Sequence, residues 1–133
     1  SYFKEGCNMA SIMAVALGGA IGAVLRYMVV TVLANFSLIL MPLGVILCNI
    51  VGSFLLGILI AWSLKDPLIS ENMKTFLQVG ILGAFTTFST FALEVFYITE
   101  KGQYFVAIMY ILLSLVLSIG GFFVGINIFR LIG

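Results

Sequence analysis

Four apolar runs long enough to cross a lipid bilayer follow one another along this 133-residue chain. A spanning helix needs about 20 apolar residues. Only 8% of the residues are charged, against roughly 25% in soluble domains, so the chain cannot cover a water-facing surface. We therefore predict an all-α membrane protein with a single four-helix transmembrane domain over residues 1–133. The predicted helices cover about 10–35, 42–64, 73–99 and 104–131.

The composition argues against several classes of function. The net charge of +1 is not the basic surface expected of a nucleic-acid partner, and no phosphate-binding loop for a nucleotide is visible. The chain has no histidine, and Cys7 and Cys48 are far apart, which removes the usual zinc ligand sets and any disulfide framework. We interpret Cys48 as a small apolar packing residue.

The charges outside the apolar runs give only a modest orientation signal. The first run is too long for a signal-peptide core and has no clear cleavage site, so we expect it to be retained. The residues before Met9 are given no functional role. An even number of helices puts both ends of the chain on one side, with Lys4, Lys65, Lys74 and Arg130. The other side has Lys101, and Arg26 if it extends to that interface, so insertion in both orientations is compatible with the sequence.

Small residues recur at helical spacing in the first and fourth helices. Gly18 and Gly22 form one GxxxG pattern, and Gly121 and Gly125 form another. Such spacing lets helix backbones approach closely in lipid, and ordinary bundle packing explains each glycine taken alone. Because four helices barely enclose a pathway, we expect a homo-oligomer, most simply a two-fold dimer.

Polar side chains form two rows inside the predicted membrane region. On the second helix, Asn49, Ser53 and Gly57 recur at four-residue spacing, and the fourth helix repeats the pattern. The residues of that second row are Tyr110, Ser114 and Ser118. Such groups either hold helices together by hydrogen bonds or line a polar pathway. The two rows together favour the pathway.

The segment "GILGAFTTFSTFALEVF", residues 80–96, is an unusual mixture for a membrane helix. Gly80 and Gly83 weaken a helix, and the β-branched threonines after them do not support it, so we predict a break. A break would free backbone carbonyls, which are hard ligands suited to an alkali cation. Phe88 and Phe91 then share a face, and their positive ring edges could hold an anion, although simple packing is equally compatible.

Two charged residues lie within the apolar runs. Arg26 could extend to the interface or create a positive vestibule that attracts anions. Glu94 could carry protons, pair with a cation, or lie in water near the end of its helix. The sequence leaves these alternatives open.

Three motifs together resemble the Fluc/CrcB family of fluoride channels. They are "GGAIGAVLRY" at residues 18–27, "GVILCNIVGSFLLG" at residues 44–57 and "GAFTTFSTF" at residues 83–91. The third is the most specific, and the polar row of the fourth helix also lies where the family has one. The resemblance covers nearly the whole chain.

The resemblance implies an antiparallel, dual-topology homodimer with two fluoride pores and a broken third helix. It implies a central structural Na⁺ held by the backbone carbonyls of Gly83 and Thr86 from both subunits. Phe88 and Phe91 would meet fluoride, Asn49 would donate a hydrogen bond near them, and Arg26 would belong to the vestibule. The whole predicted fluoride pathway is Arg26, Asn49, Thr87, Phe88, Phe91, Glu94, Tyr110, Ser114 and Ser118.

The function implied by this resemblance is passive export of fluoride through the inner membrane of a bacterium, with no enzymatic activity. The alternative is a small proton-coupled drug antiporter, also a four-helix dual-topology dimer. That mechanism needs an acid in the first helix, where this chain has Arg26, so Glu94 would have to serve. A non-transporting assembly subunit is the third alternative.

Overall fold

The computed structural model describes residues 7–38 and 41–133, and the predicted topology residue Lys4 lies outside them. Within these ranges, four helical spans are long and apolar enough to cross a membrane. They are Met9–Val32, Leu43–Lys65, Glu71–Glu100 and Tyr104–Ile132. The prediction of an all-α, multi-pass membrane protein is confirmed.

The first span is a single helix, α1 (Met9–Val32), with a well-formed start. The Asn8 side chain accepts a hydrogen bond from the Ser11 backbone N–H, and the Ser11 hydroxyl oxygen accepts one from the Asn8 N–H. This reciprocal pair satisfies two backbone donors that would otherwise lack helical partners. The helix ends at Val32, slightly before the predicted end near residue 35.

A short antiparallel hairpin connects the first two spans. Strand β1 (Ser37–Leu38) pairs with β2 (Met41–Pro42), and α2 (Leu43–Lys65) follows directly. Pro42 has an extended backbone and caps α2 from outside, whereas the sequence places it in the first helical turn. Both positions suit proline, which has no N–H to donate.

The third span is divided into helical segments, and the predicted break is present. Its parts are α3 (Glu71–Lys74), a π-helical segment (Thr75–Leu82), α4 (Gly83–Phe85) and α5 (Ser89–Glu100). Residues 86–88 lie between the two halves, and Thr86 has extended dihedral angles (φ −86°, ψ 152°). The π-helical segment is not expected from the sequence, because its wider turn leaves no distinct hydrophobic period.

The first helix packs closely on the π-helical segment through its GxxxG glycines. A Cβ atom added at Gly18 would lie 2.9 Å from the Cα atom of Gly80. One added at Gly22 would lie 3.1 Å from the Cα atom of Ile81. The added atoms would lie closer still to the Phe76 and Ile81 carbonyl oxygens, which leaves no room for a side chain, so these glycines allow the two backbones to touch.

The fourth span, α6 (Tyr104–Ile132), packs along α2 in the same direction. Gly125 contacts the Phe54 carbonyl, and the Lys65 ammonium donates a hydrogen bond to the Gly133 carbonyl. A Cβ atom at Gly125 would also lie 3.1 Å from the Ile58 nitrogen. The second GxxxG pattern therefore joins α6 to α2 within one chain.

We expect Gly125→Ala to lower the free energy of unfolding in detergent by about 1–3 kcal/mol, because the methyl group forces α2 and α6 apart. Gly120→Ala is the matched control, since a Cβ atom there meets nothing within 4 Å. The control should be neutral or slightly more stable, because alanine is a better helix former than glycine. Equal stability of the two variants would contradict the close approach of these helices.

Candidate functional site

At the break, the Asn49 side chain replaces the hydrogen bonds of a continuous helix. The Thr87 backbone N–H, which would donate to Gly83 in an α-helix, donates to Asn49 Oδ1 at 2.7 Å. The Asn49 Nδ2 group donates in turn to the Thr87 carbonyl oxygen at 3.0 Å. One half-buried amide therefore satisfies both backbone groups of Thr87 and fixes the path of the chain between the two halves.

Thr87 also caps the second half of the broken helix. Its Oγ1 atom accepts a hydrogen bond from the Thr90 backbone N–H at 3.2 Å. The same atom lies 3.3 Å from the Thr90 and Ser89 hydroxyl oxygens. A threonine at this position satisfies a donor that the helix start leaves unpaired. The hydroxyl-rich motif therefore ends one helical segment and begins the next.

The backbone oxygens of Gly83 and Thr86 lie where the first half of the helix ends. The Gly83 carbonyl lacks its helical donor because the Thr87 N–H pairs with Asn49, and Gly83 is exposed on the single chain. The Thr86 hydroxyl donates to the Leu82 carbonyl at 3.1 Å and lies 3.5 Å from the Gly83 carbonyl oxygen. The Thr90 N–H, which would donate to the Thr86 carbonyl in a continuous helix, donates to Thr87 Oγ1 instead, so the Thr86 carbonyl is outside the ladder. Such oxygens are the hard donors that an alkali cation prefers. In the described ranges, no cluster of three or more His, Cys, Asp or Glu could hold a metal.

Aromatic rings extend from the break to the fourth span. The Phe88 and Phe91 ring centroids lie 5.4 Å apart, with planes at 69°, so one ring presents its edge to the other. The Phe91 and Tyr110 centroids are also 5.4 Å apart. Phe91 is 6% exposed and Tyr110 0% exposed, whereas Phe88 is 72% exposed on the single chain. The sequence prediction that the two phenylalanines share a face agrees with this geometry.

The hydroxyl row of α6 is buried, and its polar atoms have no hydrogen-bond partner within the described residues. The atoms are Tyr110 Oη, Ser114 Oγ and Ser118 Oγ. Buried hydroxyls in a membrane protein normally bond to a helix carbonyl or to a neighbouring helix. Three unpartnered hydroxyls in one row are therefore not acting as helix-to-helix hydrogen bonds within this chain.

The Arg26 side chain lies against the break in the third span, and its extension to the membrane interface stays a prediction. Its Nε–H donates to the Ala84 carbonyl oxygen at 3.0 Å, and an Nη1 hydrogen bond reaches Thr90 Oγ1 at 3.5 Å. The closely packed glycines of α1 bring the arginine to the break. The side chain is only partly buried, and its possible contribution to a vestibule remains a prediction.

Glu94 lies on α5, one turn after Thr90. It lines a cavity of about 400 Å³ near the hairpin, together with Tyr97 and Lys101. Val45 and Ile98 contribute both to the cavity wall and to the apolar cluster that contains Phe91 and Tyr110. The structure therefore brings together Arg26, Asn49, Thr87 and the aromatic residues, and places Glu94 in the wall of this cavity, one turn after Phe91 on α5.

Two residues at the break were not singled out from the sequence. Gly52 lies one turn after Asn49 and faces the break, where an added Cβ atom would lie 3.2 Å from Phe85 Cδ2. Thr90 bonds to both Arg26 and Thr87. The three-residue spacing from Asn49 could have identified Gly52. Gly57 contacts Phe122 of α6 instead, because eight residues in a helix turn the direction by about 80°.

The chain also matches a described protein family. Residues 13–126 match the family "CrcB-like protein, Camphor Resistance (CrcB)", and this range includes every candidate site residue. The chain belongs to the CrcB family. The resemblance noted from the three motifs is therefore confirmed over most of the sequence.

Several bacterial members of the CrcB family are similar to this chain along nearly their whole length. A protein of Nitrobacter winogradskyi is 41% identical, over 91% of this chain and 96% of its own length. One from Idiomarina loihiensis is 39% identical over 86% and 88%, and one from Leptospira interrogans 40% over 87% and 91%. All three relatives are named fluoride-specific ion channel FluC.

Proposed function

We propose that this CrcB-family protein is a fluoride channel that lets F⁻ leave a bacterial cell passively through the inner membrane, and that it is not an enzyme. The observation that carries the proposal is the similarity, over about nine-tenths of the chain, to relatives named fluoride-specific ion channels. Export needs no energy source, because a negative-inside potential favours anion exit by about 2.3 kcal/mol per charge per 100 mV.

The chemistry of the described residues suits fluoride. The ion is small and strongly hydrated, so a pathway must replace its water with close donors. The unpartnered hydroxyls of α6 and the edges of Phe88 and Phe91 offer partial positive charge. Neutral donors bind an anion weakly enough to release it, as conduction requires. On this proposal, fluoride passes the two rings and follows the row formed by Tyr110, Ser114 and Ser118.

A second, oppositely oriented copy of the chain would complete the pathway. Gly83, Phe88 and Ser89 are exposed on the single chain beside the break. Irregular backbone at membrane depth is tolerated only where protein or water covers it. A two-fold axis in the membrane plane would cover both breaks with each other and create two equivalent fluoride pores. The modest imbalance of Lys and Arg at the two ends is compatible with such dual topology.

The same arrangement would provide a structural sodium site. One chain offers the carbonyls of Gly83 and Thr86, and two chains related by a two-fold axis would offer four oxygens. A bound Na⁺ would supply positive charge between the ends of two half-helices, where backbone dipoles leave partial negative charge. In this chain, Asn49 contributes by holding the Thr87 N–H away from the Gly83 oxygen.

Efflux from liposomes that contain only the purified protein tests the proposal. The potential is set with K⁺ and valinomycin, the pH is equal on both sides, and external fluoride is followed with an electrode. Rapid fluoride loss under these conditions supports a channel. Uptake of a cationic drug that requires a pH gradient, without fluoride loss, would instead support the antiporter and direct attention to Glu94.

The hydroxyl row gives a prediction that separates a pathway from helix packing. We expect Ser114→Ala to reduce fluoride flux by about fivefold to tenfold, because one donor worth about 1 kcal/mol is lost. Its unfolding free energy should stay the same or rise, since Ser114 Oγ has no partner in the described residues. Lower stability with unchanged flux would show that the hydroxyl holds helices together.

A further inference from the structure

Arg26 reaches the break because of how the first helix is packed. It follows Gly22 by four residues, so it lies on the same face of α1 as Gly18 and Gly22. Those glycines hold the α1 backbone against the π-helical segment, with no room for a Cβ atom. The arginine is the next residue at this four-residue spacing, and its side chain extends over residues 84–90.

The guanidinium joins the two halves of the third span. Its Nε–H donates to Ala84 of α4, and its Nη1 group reaches Thr90 of α5. In a continuous helix, the Ala84 carbonyl would accept from the Phe88 N–H, and the break removes that donor. Arg26 therefore supplies a donor that the third span itself has lost.

Among the described residues, no acidic side chain forms an ion pair with Arg26. Within the described ranges, the ion pair that forms is between Lys74 and Glu71, which is far from the break. A metal cation that is bound by carbonyl oxygens is stabilised at the carboxyl end of a helix, because the backbone dipoles leave partial negative charge there. The planar fork of an arginine donates in fixed directions, which a lysine cannot reproduce.

We propose that Arg26 is a positioning residue. It joins α4 to α5 and donates a hydrogen bond to the Ala84 carbonyl oxygen, and this arrangement leaves the Gly83 and Thr86 carbonyl oxygens available to the cation. This role differs from a positive vestibule, in which only the charge matters. The part that concerns the cation rests on the proposed function, whereas the joining of the two half-helices does not.

The experiment compares wild type, Arg26→Lys and Arg26→Gln as purified dimers. Lys74→Gln is the matched control, because it removes one positive charge at the end of α3, outside the site. Hydrogen–deuterium exchange of the backbone amides of residues 86–90 reports the joining of the half-helices. The sodium concentration at half-maximal rise of the unfolding temperature, with N-methylglucamine replacing Na⁺, reports the carbonyl site.

We expect both Arg26 variants to exchange at residues 86–90 about tenfold faster than wild type, the size expected for losing a hydrogen bond from a charged donor. The sodium concentration at half-maximal rise of the unfolding temperature (the sodium midpoint) should increase about fivefold or more in both variants, because each loses part of the hydrogen bonding that the guanidinium provides. Lys74→Gln should change neither quantity. A general loss of stability would lower the unfolding temperature without moving the sodium midpoint.

Wild-type exchange and a wild-type sodium midpoint in Arg26→Lys would overturn the proposal, because charge alone would then suffice. If Arg26→Gln does not form a dimer, the comparison of Arg26→Lys and Thr90→Val with wild type tests the proposal. Thr90→Val removes one acceptor of the guanidinium and should accelerate exchange at residues 86–90 by a smaller factor. If wild type shows no sodium dependence, the sodium part of the proposed function fails, and the exchange comparison still decides whether Arg26 joins the half-helices.

Discussion

Replacing Phe88 and Phe91 together with isoleucine should reduce fluoride flux by about 100-fold or more. Isoleucine keeps the apolar bulk but has no ring edge to offer an anion that is losing its water. Two lost aromatic contacts of about 1.5 kcal/mol each would raise the barrier by about 3 kcal/mol, which is roughly a factor of 100 in rate. The measurement is electrode-monitored efflux from liposomes, normalised to the amount of folded protein.

The control is the double variant Phe96→Ile and Phe105→Ile, which changes two phenylalanines that are exposed on the single chain. It should conduct like wild type. Gel filtration should show that both double variants keep the oligomeric state of wild type. Unchanged flux through the Phe88 and Phe91 variant would remove the ring edges from the mechanism and leave the α6 hydroxyls as the candidate donors.

Asn49→Leu should destabilise the protein and abolish flux, because it removes both hydrogen bonds to Thr87. The Thr87 N–H and carbonyl would then lie in the membrane without partners. Each such group costs about 1–3 kcal/mol, so we expect a loss of about 2–6 kcal/mol in unfolding free energy. Denaturant titration in detergent measures the stability, and liposome efflux measures the flux.

Asn127→Leu is the matched control, because it makes the same chemical change at an exposed position of α6. Its stability and flux should be close to those of wild type. Wild-type stability of Asn49→Leu would mean that the amide does not hold the break. Full stability with lost flux would restrict Asn49 to direct contact with the ion.

The four spans and the break could be predicted because each follows from local composition. Runs of about 20 apolar residues leave no alternative to membrane helices. Gly83 and the threonines after it weaken the third helix at the place where the chain is extended. The pairing of Phe88 with Phe91 follows from helical spacing, which depends only on positions three residues apart.

The partners of Arg26 and Asn49 could not be predicted, because they depend on how separate spans pack. Arg26 bonds to a residue 58 positions away, and Asn49 bonds to one 38 positions away. No local pattern encodes those distances. The π-helical segment was also missed, because its wider turn leaves no distinct hydrophobic period in the sequence.

The most direct test of the central claim is anion selectivity in liposomes that contain only this protein. Fluoride and chloride efflux are measured with matched electrodes under the same potential and at equal pH. A fluoride channel predicts fast fluoride loss with chloride loss at the level of protein-free liposomes. Equal loss of both anions, or loss of neither from folded protein, would contradict it.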